Sequence, residues 1–148
     1  MKTARSVLAL ALAFTLCASP AIWAAAAASL PKEHHKGAVR WMSGGVGKDQ
    51  ANAMRTIASR YNVRLVMAEA REPTAAFLAA VPVTITDAKG HVLLRIKSDG
   101  PLLFLHLPPG RYKVKAKVAG RTLSKSFAVK SKGAQQITLI WPMPPGEH

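Results

Sequence analysis

The chain has 148 residues, with 21 lysines and arginines against 7 aspartates and glutamates, a formal charge of +14, and one cysteine. A single cysteine excludes an intrachain disulfide. With 49% apolar residues the chain is expected to bury a core without covalent staples, as one domain.

Lys2 and Arg5 lead into an unbroken apolar run over residues 7–18, followed by Ser19, Pro20 and an alanine-rich tract ending at Ser29. A charged start, a short apolar centre and a small-residue zone predict a secretory leader over residues 1–26, with Ala24, Ala26 and Ala28 all open as the cleavage point. The run is shorter than the ~20 residues of a comfortable membrane span, so no stable anchor is expected after cleavage. Leu16 stands before Cys17 where a lipoprotein needs a small residue, which argues against lipidation. Losing the leader removes Lys2, Arg5 and the only cysteine, and leaves 19 basic against 7 acidic residues, a formal charge of +12. Export without disulfides fits the periplasm of a Gram-negative bacterium, or secretion from one, better than a eukaryotic secreted protein.

Residues 27–47 show no period of either kind and are expected to be a flexible N-terminal segment, docking at most through Val39 to Met42. The glycines at 44, 45 and 47 before Lys48 suggest a phosphate loop, but Met42 replaces its first glycine and Asp49 its Ser or Thr. A glycine turn feeding a helix accounts for them better. Over residues 48–61, Ala51, Met54, Ile57, Ala58 and Tyr61 form an apolar stripe opposite Gln50, Asn52, Arg55 and Arg60, which predicts one amphipathic helix. A helix this short is marginal alone in water, so it must lie on the rest of the fold.

From residue 62 the period becomes two. Val63, Leu65 and Met67 alternate with polar or smaller neighbours, then Val81, Val83 and Ile85, then Val92, Leu94 and Ile96, with a turn at 87–90 between the last two. Residues 102–107 are apolar on nearly both faces, as in a central strand covered on each side. Tyr112, Val114, Ala116 and Val118 point inward while Arg111, Lys113, Lys115 and Lys117 point outward. Leu123, Phe127 and Val129 share a parity with Lys125, which predicts a bulge or an exposed strand end there. Ile137, Leu139 and Trp141 complete the inward set before the prolines at 142, 144 and 145 stop pairing. Seven strands at roughly ten-residue spacing predict a mainly β fold: a seven-stranded, Ig-like antiparallel sandwich over 62–142, with one short N-terminal helix packed on it and a tail at 143–148.

Ser98-Asp99-Gly100, a short apolar strand, Leu107-Pro108-Pro109-Gly110 and Tyr112-Lys113-Val114 together resemble the carboxypeptidase regulatory-like, transthyretin-like domain, over about 40 residues. Ser98 stands for the usual Thr, and Pro101 follows Gly100. The resemblance implies a transthyretin-like sandwich and an accessory role beside other proteins. It carries no active site across.

The side chains offer little chemistry. Asp87 and Asp99 occupy turns, Asp49 opens the helix, Glu33 and Glu147 lie near the ends, and only Glu69 and Glu72 are spare. His34 and His35 are adjacent and point apart if extended, while His91, His106 and His148 are isolated. No catalytic, cofactor or metal residues are therefore nominated, and the protein is not expected to be an enzyme. The basic row Arg111, Lys113, Lys115 and Lys117 is the candidate anion-binding surface, with Arg95, Lys97, Arg121, Lys125, Lys130 and Lys132 joining according to strand order. Nucleic acid is an unsuitable partner for an exported protein with few aromatic rings among its cations. The expected function is a non-catalytic interaction or accessory module of the bacterial envelope, binding an envelope protein or an anionic polysaccharide. A carbohydrate-binding module for glycans, anionic ones included, is the alternative, with Trp41 as its one expected exposed platform; an enzyme or metal binder is the third reading, and an enzyme would need Glu69, Glu72 or His106 together in one pocket.

Overall fold

A computed structural model describes residues 29–146; the leader expected over 1–26 and the last two residues of the tail lie outside that range. The elements run β1 (Glu33–Lys36), β2 (Val39–Gly44), α1 (Lys48–Thr56), a 3₁₀ turn (Ala58–Arg60), β3 (Val63–Glu69), β4 (Ala76–Phe77), β5 (Pro82–Asp87), β6 (Val92–Lys97), β7 (Leu102–His106), β8 (Gly110–Val118), β9 (Arg121–Val129) and β10 (Gln135–Trp141). They form two open sheets. One has six strands in the order β1-β2-β7-β3-β10, with β4 also paired to β3, and the other has four, β6-β5-β8-β9.

The alternating residues meet between the sheets. Val63, Leu65 and Met67 of β3, Leu103 and Leu105 of β7, and Leu139 and Trp141 of β10 face Val83, Ile85, Leu94, Val114 and Ala116 of the smaller sheet, each at most 2% exposed. Burial of this kind contributes about 1.5–3 kcal/mol per large side chain. β7 is covered on its other face too, where Leu102 and Phe104 meet Met42, Met54, Ala58 and Tyr61 beneath α1. The short helix therefore lids the outer face of the larger sheet. Its helical stretch stops at Thr56, short of the expected residue 61, and the last turn tightens into the 3₁₀ segment. Gln50 Oε1 accepts the N–H groups of Gly45 and Val46 at 2.9 and 3.1 Å, which fixes the glycine turn to the helix it feeds.

Four expectations are corrected. First, the described residues form ten strands, because residues 33–44 form a hairpin that joins the six-stranded sheet through β2 and β7, and the two-residue β4 pairs with β3. The sandwich thus begins in the segment expected to be flexible, and Val39 and Met42 are buried in it. Second, the sandwich is not wholly antiparallel: β3 and β10 pair in parallel along seven residues. Third, the β5–β6 register shifts between Ile85 and Thr86, pairing Ile85 with Leu94 but Thr86 with Val92, so a bulge at Leu93 turns Val92 outward to 43% exposure. Fourth, of the two alternatives at Lys125 the bulge is absent, since the register of β9 with β8 is unbroken from Gly110↔Val129 to Val118↔Arg121, whereas exposure holds, Lys125 being exposed midway along an edge strand. Lys125 is accommodated at the open margin of the sandwich, where its Nζ donates to the Thr138 carbonyl of β10 at 3.0 Å.

That margin is a seam between the two sheets. Gln135 Nε2 donates to the Ala128 carbonyl, Trp141 Nε1 to the Arg121 carbonyl, and Arg121 to the Pro142 carbonyl. Behind it, Glu69 is 5% exposed, with Arg121 Nη2 3.2 Å from one carboxylate oxygen and Arg71 Nη2 3.1 Å from the other.

The residues that carry the resemblance also hold the core together. Ser98 Oγ accepts the N–H of Val81 at 3.0 Å, and the Asp99 N–H donates to Ser43 Oγ at 2.8 Å. Gly100 lies so close to β2 that a Cβ there would sit 2.2 Å from the Gly44 carbonyl oxygen. Tyr112 Oη donates to the Pro108 carbonyl at 2.6 Å, tying the start of β8 to the turn before it.

Candidate functional site

Among the described residues no helix or loop packs over the outer face of the four-stranded sheet, and the composition of that face follows from strand parity. Because Tyr112, Val114 and Ala116 are buried, Arg111, Lys113, Lys115 and Lys117 must project from the other side of β8, and all four are exposed. The registers then place the neighbours. Lys115 stands level with Thr84 on β5, Arg95 on β6 and Ser124 on β9, and Lys113 with Thr86, Val92 and Ser126; Lys117, level with Thr122 on β9, and Lys97, level with Pro82 on β5, each lie one residue beyond the last β5–β8 pair, Val83↔Ala116.

The face therefore presents six cations, Arg95, Lys97, Arg111, Lys113, Lys115 and Lys117, among hydroxyl side chains. None of its paired positions is occupied by a carboxylate or an aromatic ring. Among the described residues none of the six cations forms an ion pair. Successive lysines on β8 are about 6.8 Å apart, twice the rise per residue, and β6 lies two strand spacings, about 9.5 Å, from β8. Cations so grouped, with nothing opposing them, make a field that attracts polyvalent anions and weakens with salt.

Beyond Lys113 the face opens into a depression of about 620 Å³ lined by Thr86, Asp87, Arg111, Tyr112, Lys113 and Ser126. Asp87 is already engaged there. Desolvation raises its pKa, but the backbone N–H groups of His91 and Lys89 and the His91 ring together hold it below the usual aspartate value. Burial pushes the Tyr112 phenol upward.

The expected row Arg111, Lys113, Lys115 and Lys117 is thus together on one surface, and strand order adds Arg95 and Lys97 to it. The other four basic candidates lie elsewhere. Arg121 turns to Glu69, Lys125 to β10, and Lys130 and Lys132 line the loop before β10. Sequence reasoning missed the hydroxyl residues Thr84, Thr86, Thr122, Ser124 and Ser126, although their outward parity was readable on both strands.

Trp41 is elsewhere, on β2. It is half-buried against the core rather than open, with its ring stacked on His34 at a centroid distance of 5.4 Å and an interplanar angle of 18°. Nearby, Glu33 accepts a hydrogen bond from Tyr61, lies 3.1 Å from His35 Nε2 and is 3.7 Å from Arg40 Nη1. The hydrogen bond from Tyr61 is the main reason the Glu33 carboxyl titrates below its ordinary value. Burial, with the Glu33 hydrogen bond and charge, pushes the Tyr61 phenol up to about 12. Glu69 and Glu72 do not make an acid and base pair, because Glu69 is buried between two arginines and Glu72 is exposed. No group of three or more metal-ligating side chains comes together among the described residues.

No protein-family model and no curated protein matches the chain.

Proposed function

We propose that the protein is an exported, non-catalytic β-sandwich module that receives an anionic component of the bacterial envelope on the outer face of its four-stranded sheet. The observation that carries this reading is the composition of that face: six cations among threonines and serines, on an uncovered surface that pairs none of them with a carboxylate. A lysine row also keeps an edge strand from pairing with its neighbours, but β8 is an inner strand, hydrogen-bonded on both sides, and needs no such protection. The leader-like N-terminus supports export. The likeness of the Ser98–Gly100 turn and the Leu107–Gly110 corner to the carboxypeptidase regulatory-like domain supports an accessory role.

The test is retention on a sulfated column by the purified protein. Replacing Lys113, Lys115 and Lys117 together by Gln removes three charges from the face, while replacing Lys36, Lys130 and Lys132 removes three from elsewhere. The reading expects the first variant to elute at clearly lower salt than the second, with both melting near wild type. Equal elution of the two variants would show that only net charge matters and would end it.

A further inference from the structure

Cations on this face are arranged as two rows with a floor between them, and the arrangement selects the shape of what binds. One wall is Lys115 and Lys117 on β8. The other is Arg95 and Lys97 on β6: Arg95 shares a rung with Lys115 through Thr84, and Lys97 and Lys117 each follow two residues along their strands. Thr84 and Pro82 of β5 form the floor on those rungs, and their short side chains leave the long cationic ones standing above them. The trough is about 9.5 Å from wall to wall, narrower than an α-helix with its side chains, ~10–12 Å. It is longer than wide: continuing past Lys113 to Arg111, the β8 wall extends over about 20 Å and ends at the 620 Å³ depression.

From this geometry we infer that the ligand is a single extended strand of a linear polyanion, lying lengthwise over β5 with its charges taken alternately by the β6 and β8 walls. The inference rests on the proposal that this face binds anions, and adds the shape, orientation and class of the ligand. The floor threonines can hydrogen-bond phosphate, sulfate or carboxylate oxygens, which the aliphatic stems of the cations cannot. On its other side β8 has only Thr122, Ser124 and Ser126 of β9, a ledge with no second row of charge, so the β5 side is where an anion gains from two walls.

The rival occupants fit less well. A bilayer surface is usually gripped by apolar or aromatic side chains alongside the basic ones, and among the described residues the only large apolar side chain exposed on this face is Val92. A folded protein partner would seek aromatic anchors in a packed centre, and a nucleic acid or neutral sugar would seek rings to stack on; the trough has neither, and the two rings in the depression at its end, Tyr112 and Phe127, are stacked on each other.

The experiment measures binding of the purified protein to long-chain inorganic polyphosphate and to heparin, which carry closely spaced charge on phosphate and sulfate respectively, and to vesicles of phosphatidylglycerol. Three double variants are compared: Arg95→Gln with Lys97→Gln, Lys115→Gln with Lys117→Gln, and Lys130→Gln with Lys132→Gln away from the trough. Every changed side chain is at the surface, and a thermal melt checks that each variant is folded.

A two-walled trough requires both wall variants to lose affinity for the polymers by roughly 10- to 30-fold. Each should also flatten the plot of log affinity against log salt by about 1.4, because two anionic groups of a single strand are no longer neutralised. The loop variant should change far less. If the Lys115 and Lys117 variant loses affinity but the Arg95 and Lys97 variant behaves like the loop control, the lengthwise trough is wrong while anion binding by the face survives. Vesicles that bind tightly and are not displaced by either polymer would replace the linear ligand with a membrane surface and also overturn the inference. Equal losses from all three variants would overturn both it and the proposal beneath it.

Discussion

Gly100→Ala is a one-methyl change with an effect that can be worked out from its surroundings. The added Cβ would stand 2.2 Å from the Gly44 carbonyl oxygen, about 1 Å inside normal contact, and the obstacle is backbone, which cannot swing aside. Gly44 is the last residue of β2 and pairs with Leu102 of β7, so relief must come from moving the loop before β7 away from the sheet. That movement stretches the hydrogen bond from Asp99 N–H to Ser43 Oγ, now 2.8 Å. Overpacking of this kind costs about 1–3 kcal/mol, and a weakened hydrogen bond adds about 0.5–1.5 kcal/mol. The stiffer unfolded chain of an alanine variant returns about 0.4–1 kcal/mol. The net destabilisation is about 0.5–4 kcal/mol, which for a domain of this size lowers the melting temperature by roughly 2–16 °C. Circular dichroism melts of wild type and Gly100→Ala measure it. By contrast Gly110, where a Cβ would meet Tyr112 Oη at an ordinary 3.5 Å, has no backbone contact of this kind. A Gly100→Ala melt within about 2 °C of wild type would refute the close approach of the two backbones and the role given to the Ser98–Gly100 turn.

Further outcomes follow from the core and the two buried polar sites. Leu105→Ala, at a position with no exposure, should cost about 2–5 kcal/mol in denaturant unfolding, and an unchanged midpoint would deny that β7 is the central covered strand. Arg121→Ala removes one of two arginines from buried Glu69 and should cost about 1–3 kcal/mol, less than a fully orphaned buried charge because Arg71 remains. Glu69→Gln added to that variant should recover part of the loss, and a further fall in stability would contradict it. Tyr61 should ionise well above pH 10, at about 12, in a phenolate absorbance titration. Its folded pKa is raised, so its contribution to stability is complete below pH 10 and is lost as pH rises toward 12. Tyr61→Phe should therefore flatten the alkaline fall in stability. The Glu33 carboxyl is lowered, so its contribution is present above about pH 4.5 and is lost as pH falls through its folded value.

Where one face of a strand is buried, the sequence showed it. Val83 and Ile85 on β5, Tyr112 and Val114 on β8, and the doubly apolar β7 all lie as their alternation requires, and the stripe on α1 found Leu102 and Phe104. Alternation says which face a residue takes but not which strand lies beside it. That is why the parallel pairing of β3 with β10 was not legible, and why Arg95 and Lys97 could be attached to the basic face only once β5 was seen between β6 and β8. The β1–β2 hairpin was missed for a related reason. β1 is an edge strand whose residues 34–36 are all exposed, so no buried face imposes a period on His34, His35 and Lys36. Val92 was misplaced because a single extra residue, Leu93, reverses parity without leaving a compositional mark. Lys125 on an inward parity did carry a signal, but its cause is the open margin beside β10 and not a break in the strand.

The most direct measurement is a two-dimensional amide NMR titration of isotopically labelled protein with a short linear polyphosphate. Binding to the cationic sheet face predicts shifts that cluster on residues 82–86, 92–97, 111–117 and 122–126, with α1 and β3 unmoved. Shifts spread over Lys36, Arg55, Lys130 and Lys132 as strongly as over Lys115 and Lys117 would contradict it.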